Sequence, residues 1–575
     1  MFYRWAYSNP KQEKIISYLQ QELNVPEQIA HLLVIRGIDS FESAKNFFRA
    51  SLSDLYDPFL MTDMEAAAQR ICEAVRHSDK VLVYGDYDVD GTTATACIYT
   101  FLRDFGVDVE YYIPHRFKEG YGINKEGIEY ADKINADLVV SVDCGITAFE
   151  EAKMAREKGI DLVICDHHTV DENIPEAIAV LDPKRPDCQY PYDGLSGAGV
   201  AFKLIQASLT KLGLKQSLAY KFLDLVAISI ASDIVPIIDE NRVLMKEGLH
   251  MINANPRTGF KALLEVIKVP AGNVSTSTIV FSVGPRINAA GRMGDASAAV
   301  ELMITSDENK ARSFAHELEA INIRRRDTDS KTMEEALEKI DKEYNLDETA
   351  SMVLHDSNWH LGVIGIVASR IVDLYYRPAI LLSTVDGLVK GSARSIKGFN
   401  IYEALKKCED LLIQFGGHEF AAGLTMEQKH LPEFRRRMNE IAFRVLSEND
   451  FKPELIIDDD IDLSHINKKF WKLLIQFEPF GPGNHRPVFV SRDVCVEGVP
   501  TIVGNGHLKM KVSQNGSGVF DVIGFNMHEF LPLLRNCKQN KIDIAYVLEE
   551  NFWNNRRSIQ MRLKDIQINE RNESF

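Results

Sequence analysis

A chain of 575 residues is too long for one hydrophobic core, so several domains are expected. Its 45% hydrophobic and 26% charged content is that of a soluble globular protein, and runs such as Leu225–Ala231 fall far short of the ~18 apolar residues of a membrane helix. The formal net charge of −17 is awkward for a nucleic-acid enzyme, because phosphate contacts call on Lys and Arg. Either the basic residues gather on one face or the substrate is small, and charge alone leans toward the second. Met1–Trp5 lacks a basic region followed by an apolar stretch, which argues against a signal peptide. Eight cysteines without a C-x-x-C pair argue against zinc ribbons and disulfide frameworks. A reducing, cytoplasmic home without membrane attachment is expected.

In chain order, short apolar runs at Val81–Tyr84, Val109–Ile113, Leu138–Val142, Leu162–Cys165 and Ile178–Leu181 read as buried strands. Helical patterns lie between several of them, for example Ala148–Lys158, which stops at Gly159. Such alternation predicts α/β architecture with a parallel sheet, and ligands bind such sheets at the strands' carboxyl ends. From Asp295 to Leu361 there is neither Gly nor Pro. Phe314, Leu318 and Ile321, then Met333, Leu337 and Ile340, recur at helical spacing, which predicts a connector helix over 306–342. A second α/β region follows, with strands at Ser351–Leu354 and Ala379–Leu382 and a helix at Val363–Leu374. Beyond Lys452, five β runs (Arg486–Val490, Leu508–Val512, Val519–Phe525, Ile542–Val547 and Ser558–Leu563) predict a small OB-type barrel.

The chemistry concentrates at strand ends. Val81–Tyr84 runs into Gly85-Asp86-Tyr87-Asp88-Val89-Asp90-Gly91. A calcium EF-hand loop opens the same way, but its twelfth position must be Glu; here it is Cys97, and a strand precedes the motif where the EF-hand has a helix. Leu138–Val142 leads into Asp143-Cys144-Gly145, and Leu162–Cys165 into Asp166-His167-His168. Taken singly, each fits a solvated turn. A parallel sheet, however, brings all three to one edge and gathers Asp88, Asp90, Asp143 and His167, while Asp233 follows the apolar stretch Leu225–Ser232. Oxygen ligands with one or two imidazoles suit Mn²⁺ or Mg²⁺. Two ions at ~3.5–4 Å would suit phosphoester cleavage. His168 is placed to donate to a phosphate oxygen.

Asp166-His167-His168 with the upstream D-x-D and Asp143 resembles the DHH phosphoesterase superfamily. Tyr84-Gly-Asp-Tyr-Asp-Val-Asp-Gly91, Ala231-Ser-Asp-Ile-Val-Pro236 and Gly284-Pro-Arg-Ile-Asn-Ala-Ala-Gly-Arg292 resemble its RecJ branch, over roughly Val81 to Leu424. The resemblance implies metal ligands Asp88, Asp90, Asp143, His167 and Asp233, with Asp143 bridging, Asp86 supporting and His168 on the scissile phosphate. Arg286, Asn288 and Arg292 of the third string join the substrate side. Tyr84 stands where related pyrophosphatases carry a motif His, which implies a less tightly held first metal. Gly416-Gly-His-Glu-Phe-Ala-Ala-Gly423 resembles the DHH-associated nucleic-acid-binding domain (DHHA1), with Gly416, Gly417 and His418 near substrate and a helix start expected to favour the anion. Trp359–Arg370, containing His360, and Gly391–Ser395 share that resemblance. Ser392 and Arg394, with Arg116, are candidates for a terminal 5′-phosphate, which suits arginine's fork.

The implied layout is an N-terminal segment (1–60) packing on a DHH catalytic domain (61–305), the connector (306–342), DHHA1 (343–450) and the barrel (453–570). The implied activity is 5′→3′ hydrolysis of single-stranded DNA by a monomer, in repair and recombination, with a RecQ-type helicase and single-strand-binding protein as partners. Two alternatives stand beside it: a DHH-family phosphodiesterase for short oligonucleotides or cyclic dinucleotides, and, from another class, a non-catalytic single-strand-binding replication factor. Arg324–Arg326 reads as a solvated helix face. Trp553, Arg556 and Arg557 fit DNA stacking and local packing equally. Cys144 and Cys165 read as buried small residues.

Overall fold

The computed structural model describes residues 3–8, 12–170, 173–536, 541–553 and 556–568. The first sheet has the strand order Asp108–Tyr112, Lys80–Gly85, Leu138–Val142, Asp161–Cys165, Ala179–Leu181, parallel throughout. Its strands other than the edge strand Asp108–Tyr112 are largely buried and apolar on both faces because both are covered. Val81 and Val83 face one large core with helices Val89–Asp104 and Gly197–Lys211, while Leu82 and Tyr84 face a smaller one with Ile128, Ala152 and Ile164. All five carboxyl ends therefore open on one edge.

The connector is a 36-residue helix, Glu308–Glu343. Its buried stripe runs Ala311, Ala315, Leu318, Asn322, Arg325, Asp329, Thr332, Ala336, Ile340, so the middle of the stripe is polar. Arg324–Arg326 is consequently not a uniformly solvated face. Arg325 turns inward, donating to Asn322 Oδ1 at 2.7 Å and lying 3.5 Å from Asp329, which also pairs with Arg370 at 3.1 Å. The helix passes between two domains, and burial continues where its apolar pattern stops.

The second domain's sheet has the order Leu412–Gly417, Ala421–Glu427, Leu388–Arg394, Ala379–Val385, Met352–His355, with only the last pair parallel. Helix Leu361–Tyr375 packs on it. The C-terminal strands Phe489–Val503, His507–Ser513, Phe520–Gly524, Arg556–Ile568 and Ile542–Trp553 close into a barrel, because Phe489–Val503 pairs with Ile542–Trp553 as well as with His507–Ser513. Arg557 bonds Glu550 at 2.9 Å, and the side chains of Trp553 and Arg556 lie outside the described residues.

The N-terminal segment corrects the expected packing. Its end, Leu52 to Phe59, packs on the catalytic core, and Phe47 is met by Arg242 of that domain. Its helices Glu13–Leu23, Glu27–Ile35 and Phe41–Arg49 instead share a core with the barrel, where Leu19, Ile29 and Leu33 meet Phe470, Phe477 and Phe489. Strand Arg4–Tyr7 pairs with Glu454–Ile457. Those amphipathic helices need an apolar partner, and the sequence does not say which domain supplies it.

Two arginines join the three bodies. Arg242 of the catalytic domain is 4% exposed and donates to the carbonyls of Phe47 (2.9 Å), Phe477 (2.8 Å), Gln476 (3.2 Å) and Glu478 (3.1 Å). Arg36 donates to Asn484 Oδ1 (2.7 Å) and His485 O (2.6 Å). Arg242→Met removes its bonds to all four carbonyls, of which Phe477 O keeps the Asn484 amide as a donor at 2.7 Å, and should cost about 2–3 kcal/mol. Urea unfolding followed at the barrel tryptophan Trp471 should show the loss; an unchanged midpoint would mean that the junction is held by apolar contacts alone.

Candidate metal centre and phosphate cleft

Asp86 leaves strand Lys80–Gly85, and the next helix begins three residues later at Val89. Asp88 caps that helix, accepting Gly91 N–H at 3.1 Å. Asp90, 1% exposed, accepts the N–H groups of Gly197 (2.6 Å) and Ala198 (2.8 Å) and the Ser229 hydroxyl (2.7 Å). The start of helix Gly197–Lys211 thus aims two donors and its dipole at a buried carboxylate. Asp143, just beyond Leu138–Val142, has φ 60°, a strained setting for a non-glycine residue of the kind found at functional sites. A Cβ on Gly197 would lie 2.7 Å from Asp143 Cβ, so only glycine lets that helix approach. Asp233 ends helix Leu223–Ser232.

These side chains converge. His167 Nε2 lies 3.0 Å from Asp143, 3.5 Å from Asp90 and 3.7 Å from Asp233. Three sets, Asp90–His167–Asp233, Asp86–Asp88–Asp143 and Asp143–His167–His168, each bring ligand atoms within 4.8 Å of one another. Asp143 belongs to two sets and His167 to two. Burial raises the carboxyls of Asp86 and Asp143 well above the usual range, and neighbouring acids push the same way. Burial, then Asp90 and Asp88, push Asp233 up to about 8. Asp86 Oδ1 and His167 Nδ1 are buried without a hydrogen-bond partner. Packed like charges, orphaned donor atoms and a mixed oxygen–imidazole set fit divalent cations of the Mn²⁺ or Mg²⁺ kind.

His168 behaves differently. Burial alone would lower its pKa, but Asp166, whose Oδ1 lies 2.7 Å from Nδ1, lifts it to about 9. Burial likewise disfavours ionised Asp166, yet His168 and the Ile146 N–H hold it at about 2. Tyr121 Oη lies 3.2 Å from the His168 ring nitrogens and 3.3 Å from Asp143 O. Asp166 as orienting acid and Tyr121 were not singled out from sequence; only the DHH string itself pointed to the first. Tyr84 offers no ligand. Its hydroxyl donates to Gly122 O at 3.0 Å, inside the smaller core.

Next to the acids lies a cavity of about 600 Å³, lined by Arg116, Ser392, Arg394, Gly416, Gly417 and neighbours. Arg394 reaches Ser392 Oγ at 3.0 Å, and Arg116 lies over the Tyr87 ring at 5.0 Å. Burial, then Arg116, Arg394 and Arg325, lower Arg292 to about 10: these cations crowd one another, as in an anion site. Other sequence candidates hold the frame. Asn288 accepts Val89 N–H at 3.1 Å, and Arg286 is bound to Glu319 and to Ser282 O. A Cβ on Gly291 would lie 2.4 Å from Tyr87 O, so this part of the 284–292 string seats the acidic turn on its helix. His360 caps helix Leu361–Tyr375 and its ring meets Phe117. Gly416 and Gly417 lie in an antiparallel hairpin, with no helix start behind them; the expected helix N-terminus at this motif is absent, and exposed His418 closes the turn through its N–H to Ala421 O.

Family models match where these bodies lie: the DHH family N-terminal domain at residues 80–230, the DHHA1 domain at 348–442 and the RecJ OB domain at 457–565. The single-stranded-DNA-specific exonuclease RecJ of Bacillus subtilis is 39% identical over 99% of this chain and 71% of its own. The chain belongs to the RecJ family. The Escherichia coli RecJ is 32% identical over 94% of this chain and 96% of its own. The crystal structure of RecJ in complex with Mn²⁺ from Thermus thermophilus superposes with a TM-score of 0.82 at 29% identity, covering 98% of this chain and 79% of the other.

The raised carboxyls set a sign. Between the usual carboxylate pKa of about 4 and the value of about 8 for Asp233, these carboxyls hold more protons in the folded metal-free protein than in the unfolded chain, so their contribution to stability falls as pH rises. Mn²⁺ should displace those protons, and its affinity should increase from about pH 6 to about pH 8. Calorimetry at pH 7 in two buffers of different ionisation enthalpy should register proton release. Equal apparent enthalpies would contradict this picture.

Proposed function

We propose that this chain is a metal-dependent exonuclease that removes 5′-mononucleotides from single-stranded DNA in the 5′→3′ direction, in recombination and repair. The observation that carries it is the juxtaposition of a converging acid–imidazole cluster with an arginine-lined cavity between two domains. Asp88, Asp90, Asp143, His167 and Asp233 would hold two Mn²⁺ or Mg²⁺ ions, with Asp143 shared and Asp86 adjoining. Bound ions of this kind polarise the scissile phosphate and lower the pKa of the attacking water.

The rest falls to the chain. Asp166 takes His168 Nδ1–H and keeps the ring protonated, which leaves Nε2–H to donate to a non-bridging oxygen as negative charge builds there. Arg116, Arg394 and the Ser392 hydroxyl bind a terminal 5′-phosphate, so that the bond one nucleotide inward meets the acids; the 5′→3′ polarity itself is what the family resemblance implies. Arg292 adds charge to the same wall. A cleft between two domains admits one strand more readily than a duplex. The closed barrel behind it suits a long substrate better than a dinucleotide, and the clustered arginines reconcile DNA binding with a charge of −17. By resemblance, a RecQ-type helicase and single-strand-binding protein are its partners, and it acts as a monomer in the cytoplasm; the described cysteines are all free.

End-labelled DNA, single- or double-stranded and with or without a 5′-phosphate, tests this with Mn²⁺ present. Mononucleotides should leave single strands from the 5′ end, and Asp143→Ala should slow release by at least about 10³-fold. Arg394→Met should cost about 10–100-fold on 5′-phosphorylated strands and abolish their advantage over 5′-hydroxyl strands. Equal cutting of duplexes, or release from the 3′ end, would overturn the reading.

A further inference from the structure

Lys184 is a charged side chain at the metal centre that the mechanism above leaves without a role. It follows the edge strand Ala179–Leu181, whose parallel pairing with Asp161–Cys165 sets two turns side by side, Asp182–Lys184 and Asp166–His168. Asp166 N–H donates to Leu181 O at 2.9 Å across that seam. Asp182 is fully buried, and its Oδ1 accepts Lys184 N–H at 2.8 Å. From this anchored turn the Lys184 ammonium hydrogen-bonds the carbonyl oxygen of His167.

That carbonyl belongs to the peptide between the two histidines, so the peptide is held at both polar groups. Its C=O accepts from Lys184, and its N–H donates to Asp166 Oδ1 at 3.2 Å. The two rings lie 4.6 Å apart and serve opposite purposes. His167 turns Nε2 to Asp143, Asp90 and Asp233, while His168 is fixed to Asp166 and faces Tyr121. Any tilt of this peptide would move a candidate ligand and a candidate phosphate donor together.

We propose that Lys184 is a positioning residue that, by gripping the His167 carbonyl, sets the ion affinity and the turnover of the centre jointly. This rests on the reading of His167 as a ligand. Residues that orient ligands from behind typically shift affinity or activity 10–100-fold when removed. A rival role for an exposed lysine in a nucleic-acid enzyme is a plain phosphate contact, which would change strand affinity and its salt dependence instead.

The test compares wild type, Lys184→Met and Lys184→Arg in the full chain. Mn²⁺ binding is measured by electron paramagnetic resonance without DNA, kcat and KM on single-stranded DNA at two salt concentrations, and the thermal midpoint without metal. Lys184→Met should weaken Mn²⁺ binding and lower kcat, each by about 10–100-fold. KM, its salt dependence and the metal-free midpoint should stay near wild type, and Lys184→Arg should recover part of both losses. A rise in KM with unchanged Mn²⁺ binding and kcat would make Lys184 a DNA contact and overturn the proposal, as would wild-type behaviour throughout. If the wild type binds Mn²⁺ but cuts no DNA, the nuclease reading fails, while the Mn²⁺ arm still decides the role of Lys184.

Discussion

Buried like charge is the constraint on which the rest of this structure depends. Asp86, Asp90 and Asp143 are each no more than 2% exposed and, with Asp88 and Asp233, press on one another around a single imidazole. No fold tolerates such a group without compensation, and here it is partial and local. The start of helix Gly197–Lys211 serves Asp90, and backbone N–H groups serve Asp88 and Asp166. Asp143 and Asp86 have no comparable set of donors. That residue of unmet charge makes the cluster a cation trap rather than a salt-bridge network.

The opposite charge sits just across the cleft. Arg116, Arg292 and Arg394 crowd one another as the carboxylates do, and Asp88 is the acid that favours the charged form of Arg292. On the proposed reading a phosphodiester would lie between the two, with its terminal phosphate toward the arginines and the next bond toward the acids. Two mutually frustrated fields side by side thus complement one anionic chain end plus metal cations. They also explain how an acidic protein handles DNA: the potential at the cleft, not the total charge, governs binding.

Holding that geometry across domains is the task of a few buried polar links. Arg242 and Arg36 lock the barrel loop 476–485 to the catalytic domain and the N-terminal helices. The same loop reaches the segment after Asp233, where Ile237 N–H donates to Pro482 O at 2.7 Å. On the other side, Asp329 of the long helix binds Arg370 of the second domain. Catalytic edge, phosphate wall and barrel are therefore coupled through hydrogen bonds to main chain and through the half-buried Asp329–Arg370 ion pair rather than through one apolar core.

The five strands of the catalytic sheet and the acids at their ends were legible in the sequence, because a doubly covered parallel strand is a continuous apolar run and a ligand must follow it directly. The long helix and four of the five barrel strands were legible for the same reason, periodicity recording which face is buried, whereas the first barrel strand, expected at 486–490, runs Phe489–Val503. Periodicity does not record partners. It left open which domain the helices of residues 13–49 pack against, and it misjudged Arg325, whose burial comes from a neighbour and not from its own pattern. Nor does it show direction: Asn288 and Arg286 point into the frame rather than the cleft, and the glycine pair at 416–417 sits in a hairpin. Asp166, Tyr121 and Lys184 lie 18 to 63 positions apart in the chain yet meet at one peptide or one ring, and only tertiary packing can decide that. The residue types and their place at strand ends were set by the chain; which carboxylates go unpaired, which histidine faces the acids and which cations face the phosphate were decided by how the sheet edge, the helix start and the second domain close on one another.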